Sequence, residues 1–259
     1  MNDLSDMIWI ELRKAIRSRM PVWTALGSLF MPFGIAFLIF VAKNPEISKK
    51  LGLIGAKANL VSYAATDWPA YLGFSGMLIA AGGFFLFVLI ISWIFGREFA
   101  DGTLKDILAV PVPPANILLA KFIVMAMWSI ALSLVIFIAS LVAGALIKLP
   151  GGSQGVIFQD GALVLITAGL VIAVALPFAF FACVGRGYLL PMGMMVLTLM
   201  MANLAAVLGW GEYFPWAVPG LFVQGKGALP PVSYGIVFLT GLAGMLATYL
   251  WRMSADQNR

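Results

Sequence analysis

"FGREFADGTLKDILAVPVPPANILLAK", residues 95–121, places three acidic residues, three basic residues and three prolines between two uncharged apolar runs, 72–95 and 122–147. A bilayer core about 30 Å thick needs about 20 apolar residues per crossing helix, and both flanking runs exceed that length. The charged stretch is therefore a turn between two membrane-crossing segments. Both runs are continuous rather than alternating, which implies helices and not barrel strands.

Working outward, the same criterion marks four further runs, 21–42, 161–184, 188–210 and 232–251, and none of the six contains an internal charge. Composition agrees: 62% of the residues are hydrophobic, 10% are charged, and the mean hydropathy is +1.02. A soluble globular domain lies far from these values. The expected fold is all-α integral membrane, a single transmembrane domain over 1–259. The first run has no small-residue cleavage site close behind it, so we read it as a permanent span with the mature chain starting near Met1.

Orientation follows from the basic residues, which favour the cytoplasmic side in short loops. Arg13, Arg17, Arg19, Arg97, Arg186, Arg252 and Arg259 all fall on one face of a six-span map. The opposite face carries only lysines, with Lys43, Lys49, Lys50 and Lys57 in one loop and Lys148 and Lys226 singly. Both termini are thereby placed inside, and 96–121 is cytoplasmic. The net charge of +5 suits an anionic inner leaflet rather than nucleic acid. Absence of histidine and a single cysteine, Cys183, argue against a zinc or haem site and exclude a disulfide within the chain.

Before the first span, residues 1–20 place Leu4, Ile8, Leu12, Ala15 and Ile16 at helical spacing, with Arg13, Lys14 and Arg17 turned away. This reads as an amphipathic interfacial helix, serving as an anchor or as a transmitter of motion. Within 96–121, Asp101-Gly102 is a turn signal, and Thr103 with Asp106 fits a capping box for a short helix whose apolar side is Leu104, Ile107 and Leu108. Pro111, Pro113 and Pro114 stop that helix, and Pro114 suits the first turn of the next. Arg97, Asp101 and Lys105 straddle the turn and read as a charged patch rather than one helical ladder.

Gly96-Arg97-Glu98-Phe99, Asp101-Gly102-Thr103-Leu104-Lys105, Leu108, Pro111 and Ala120-Lys121 resemble the conserved region of ABC-2 type transporter permeases, above all the bacitracin-resistance and lantibiotic-immunity branch. "GRGYLLPMG" from Gly185 and "GWGEYFPWAVPGL" from Gly209 resemble that branch too, while "PVPPAN" departs from the Ser-Arg pair many members carry there. The resemblance implies a bacterial cell-membrane permease, multi-pass with both termini cytoplasmic, acting as a homo- or heterodimer. It further implies that Arg97, Glu98, Asp101, Gly102, Thr103, Leu104, Lys105, Asp106, Ile107 and Leu108 form a coupling helix and its approach, docking on a separate ATPase subunit that holds ATP and Mg. Amphipathic compounds or peptides would be the exported substrates, in antibiotic resistance or immunity.

The residues lead to a similar reading by elimination. Ion-coupled transporters use intramembrane carboxylates, and the six runs hold none, so energy must come from elsewhere. "GLFVQGKG", 220–227, resembles a phosphate loop but has Gly227 where Ser or Thr should hold magnesium, and lacks a preceding strand. No catalytic site or cofactor of the chain's own is expected, since the runs offer no carboxylate pair, histidine or metal cluster. The alternative is a non-transporting scaffold or sensor subunit.

Three polar or soft features inside the runs read as packing. Ala126, Ser129, Ser133, Ser140 and Gly144 share one side of the third helix, where small residues let backbones approach. Asn203 is expected to make an interhelical hydrogen bond, and Met192, Met194, Met195, Met200 and Met201 crowd the same helix. The stretch 211–231, apolar but interrupted by Pro215, Pro219, Pro230 and Pro231, reads as a re-entrant-like outer loop and a candidate exit gate.

This topology predicts that, with Cys183 replaced, single cysteines at positions 49 and 225 react with an impermeant thiol reagent in intact cells, whereas one at 105 does not. Labelling at 105 from outside overturns it.

Overall fold

Residues 3–44, 46–47, 67–102 and 112–257 are described by a computed structural model. Helix α1 is Asp3–Arg17 and α2 is Met20–Lys43. The next span begins as α3, Trp68–Leu78, widens into a π turn at Ile79–Gly83, and continues as α4, Phe84–Ala100. Helix α5 is Pro114–Leu146; α6, Gln154–Ala175, and α7, Phe178–Val184, form one broken span. Helix α8 is Leu189–Val207, α9 is the short Val218–Gln224, and α10 is Pro231–Gln257.

Six of these units are long and apolar enough to cross a membrane: Met20–Val41, Trp68–Ala100, Pro114–Leu146, Gln154–Val184, Leu189–Val207 and Pro231–Ser254. The chain is an all-α integral membrane protein. Several helices run beyond the uncharged runs read from sequence. The third span starts at Pro114, whose missing N–H is harmless in a first turn, instead of 122, and so takes in Lys121. The second starts at Trp68, where the Asp67 carboxylate accepts the Ala70 N–H at 3.0 Å, and ends at Ala100. The sixth extends to Gln257 and takes in Arg252. A window that stops at the first charge cuts a helix short wherever its end carries a buried one.

The main buried apolar cluster is built chiefly from α4, α5, α6 and α7 side chains, with Phe87, Ile90, Phe95, Met125, Val171 and Phe178 buried; two smaller clusters stand beside it. Phe84 and Phe178 meet edge-on at 5.4 Å, and Trp216 meets Phe178 at 6.5 Å, so the segment after α8 reaches into the bundle interior. Trp216 Nε1 donates to Val174 O at 2.8 Å, beside the α6–α7 break. Pro177 sits at that break and has no N–H to give to the preceding turn. The sequence reading had one unbroken helix over 161–184. Ser129, Ser133, Ser140 and Gly144 are buried within the chain, and the Trp68 ring lies over Gly144.

Helix α10 crosses the break closely. A Cβ at position 244 would overlap Pro177 Cα, whereas at Gly235 nothing lies within 4 Å. Gly244→Ala is therefore expected to lower stability by about 1–3 kcal/mol, since an inserted methyl meets the backbone and the stiff ring of Pro177. Gly235→Ala is expected to be neutral or slightly stabilising, as alanine is the better helix former. Thermal unfolding of the detergent-solubilised chain tests this, and equal behaviour of the two variants contradicts the crossing.

Candidate functional site at the charged end of the bundle

Helix periodicity separates the Gly96-Arg97-Glu98 residues at the end of α4. At about 100° per residue, Arg97 and Asp101 share an outer face one turn apart. Arg97 Nε bonds Asp101 Oδ2 at 2.9 Å, and its guanidinium lies 5.0 Å from the centre of the Trp93 ring. The helix holds as far as Ala100 with Asp101 as its cap, so these two form an i, i+4 pair rather than the loose patch read from sequence. Gly102 follows with φ +69, the left-handed backbone that the Asp-Gly signal implied. Thr103, Leu104, Lys105, Asp106, Ile107 and Leu108, with the capping box and apolar knob read there, lie outside the described residues, as do Lys49, Lys50, Lys57, Pro111 and Arg259.

Glu98, one step round the helix from Arg97, points the other way. It is 4% exposed. Its Oε1 lies 2.5 Å from Lys121 Nζ of α5, and its Oε2 lies 3.3 Å from Arg252 Nη2 of α10. Lys121 Nζ also reaches Glu11 Oε2 of α1 at 3.3 Å and donates to Ile94 O at 3.2 Å. Glu11 receives a further cation from the half-exposed Lys14, at 2.7 Å. Two carboxylates and two cations are thus enclosed together at the end of the bundle, contributed by α1, α4, α5 and α10, and their formal charges cancel. Removing one member of such a group typically costs about 3–5 kcal/mol, because the partner is left charged and dry.

This cluster corrects the sequence reading of a chain without buried ionisable residues. Glu98, Lys121 and Arg252 stand just past the uncharged runs of their helices, and Glu11 lies in the middle of α1, before the first run. Glu11, Lys121 and Arg252 were not among the candidate residues. Glu11 was within reach of sequence, because it shares a helical face with Met7 and Ala15, which are buried beside it. An acid in the middle of an apolar face needs a partner. Helix α1 also carries a second apolar stripe, Trp9 and Ile16, which is exposed beside Arg13 and Arg17.

The two motifs that resemble the permease branch touch each other here. A Cβ on Gly96 would sit 2.9 Å from Gly187 O, so only glycine lets α4 lie against the 185–188 turn. Tyr188, at the end of that turn, has its hydroxyl pKa raised, first by partial burial and then by the Asp101 carboxylate, with Arg97 opposing. The charged turn and the 185–188 turn form one surface.

Toward the other end, a cleft of about 280 Å³ opens where the π turn of the second span faces α8 and α9, lined by Met77, Ala80, Ala81, Asn203, Trp216 and Gln224 among others. The Asn203 amide donates to Leu199 O of its own helix at 2.8 Å and not across to a neighbour, so the interhelical bond expected from sequence is replaced by an amide lining the cleft. Of the α8 methionines, Met195 is buried while Met200 and Met201 are exposed.

Comparison with known proteins gives two findings. Residues 7–203 match the family model described as ABC-2 family transporter protein. The bacitracin transport permease protein BCRB of Bacillus licheniformis is 24% identical over 174 residues, covering 66% of this chain and 84% of that protein.

Proposed function

The chain belongs to the ABC-2 family of transporter proteins, and from that premise we propose that it is the membrane permease of an exporter driven by a separate ATPase subunit. The observation that carries this reading is the arrangement at the charged end of the bundle. An exposed Arg97–Asp101 pair leads into a left-handed turn at Gly102, while the neighbouring Glu98 is fastened inside the bundle. A partner that engages the segment after Gly102 would pull on a helix end that is tied to three other helices.

In this reading ATP and Mg stay with the partner, and the permease supplies the docking element and the path. Residues 103–108 are the docking element, with Leu104, Ile107 and Leu108 as an apolar knob and the surrounding charges fixing register more than adding affinity. Both buried carboxylates are already engaged by cations, which suits a bracing role and not the carrying of an ion across the membrane. Both termini and the 96–121 turn face the cytoplasm, and a second permease chain completes the transporter. The resemblance to a bacitracin transport permease makes amphipathic peptides or antibiotics the substrate class, and bacitracin is the natural first probe. The cleft beside α8 and α9, apolar with the amides of Asn203 and Gln224, has the mixed lining that such molecules need.

Central apolar anchors cost more than about 1–2 kcal/mol on truncation and rim charges less. Leu104→Ala with Ile107→Ala is accordingly expected to keep the membrane level of the protein while abolishing co-purification of the ATPase and bacitracin transport. Lys105→Ala alone is expected to weaken both mildly. A double variant that retains its ATPase and its transport contradicts the docking assignment.

A further inference from the structure

Glu98 differs from the exposed Arg97 and Asp101 beside it in where its side chain goes. Oε1 pairs with Lys121 on α5 and Oε2 with Arg252 on α10, and Lys121 passes the connection to Glu11 on α1. One carboxylate, on the same helical turn as the exposed Arg97–Asp101 pair, thereby fixes the register of three other helices. Ring pairs also pack in this region, such as Phe99 against Trp251 at 6.3 Å and Phe95 against Phe122 at 4.8 Å. Ring contacts tolerate sliding. Ion pairs that are 1–6% exposed do not, because separating them strands dry charges, so they hold discrete arrangements. Arg252 Nη1 is buried without an acceptor among the described residues, so the guanidinium has a donor in reserve for another arrangement.

Resting on the exporter reading above, we propose that Glu98 is a positioning residue for transport: it converts displacement of the turn after α4 into a concerted shift of α1, α5 and α10. It does so as an internal linchpin and not as a contact of the ATPase. Its neighbour Arg97 lies on the outside, and the two residues have separate jobs although they are adjacent in the motif.

The test uses the permease–ATPase complex in lipid nanodiscs, with Cys183→Ser and Gln224→Cys, the latter in the cleft, read by an impermeant maleimide with and without ATP and vanadate. The complex with native Glu98 is expected to change its labelling rate about threefold or more on nucleotide trapping, within the range of coupling effects carried by internal networks. Glu98→Gln is expected to keep the ATPase subunit and vanadate-sensitive hydrolysis within about twofold, yet to lose most of the labelling response, and Glu98→Asp to recover part of it. Should Glu98→Gln not accumulate, the charge-balanced pair Glu98→Gln with Lys121→Met gives the same readout. A merely structural role would lower protein level or melting temperature and leave the response ratio unchanged. A native-like ratio in Glu98→Gln or in the balanced pair overturns the proposal, as does a hydrolysing native complex with no response at position 224. A native chain that captures no ATPase overturns the exporter reading itself.

Discussion

Burying charge in an apolar bundle is the most expensive arrangement in this molecule, and one end of the bundle is organised around making it tolerable. Lys121 is 1% exposed and could not stay charged there alone. It is held by two carboxylates and a backbone carbonyl, and the second of those carboxylates is shared with Arg252. Each helix that contributes one member therefore depends on the other three being present. This explains why α1, whose sequence would suit a simple surface anchor, also packs into the bundle through Met7, Glu11 and Ala15. The helix carries both an apolar stripe for the interface and one acid for the interior.

Away from the ion pairs the span helices meet in a different way. They approach through small residues and breaks, with Gly244 against Pro177 in mid-span, the π turn at Ile79–Gly83, and α9 wedged in from the loop after α8. Hydrocarbon offers helices no hydrophobic reason to associate, so close packing of small side chains is what holds them. The bundle thus has an ionically registered end, and its cleft lies toward the other. Placing the charges at one end is what the bilayer itself favours.

Much of this was legible in the chain. Six crossing helices follow from six uncharged runs, because nothing else satisfies backbone groups in lipid, and the glycine-containing turn after Asp101 follows from its dipeptide. The helix ends were not. Charge was used as a stop sign, yet Lys121 and Arg252 lie inside helices because partners distant in sequence neutralise them, and such pairings cannot be read from one segment at a time. Glu98 and Arg97 look equivalent as neighbours in one motif, and only the rotation of α4 sends one inward and one outward. The π turn has no local signal beyond its glycines, and the Asn203 amide donates to its own helix backbone.

The claim on which this account rests is that Glu98 and Arg252 act as one unit. A double-mutant cycle measures it directly, with Glu98→Gln, Arg252→Gln and the double variant unfolded by denaturant in mixed lipid–detergent micelles. The account predicts a coupling energy of about 1–3 kcal/mol, with the double variant less damaged than the sum of the singles. Single effects that add to within about 0.5 kcal/mol would show two independent charges and contradict it.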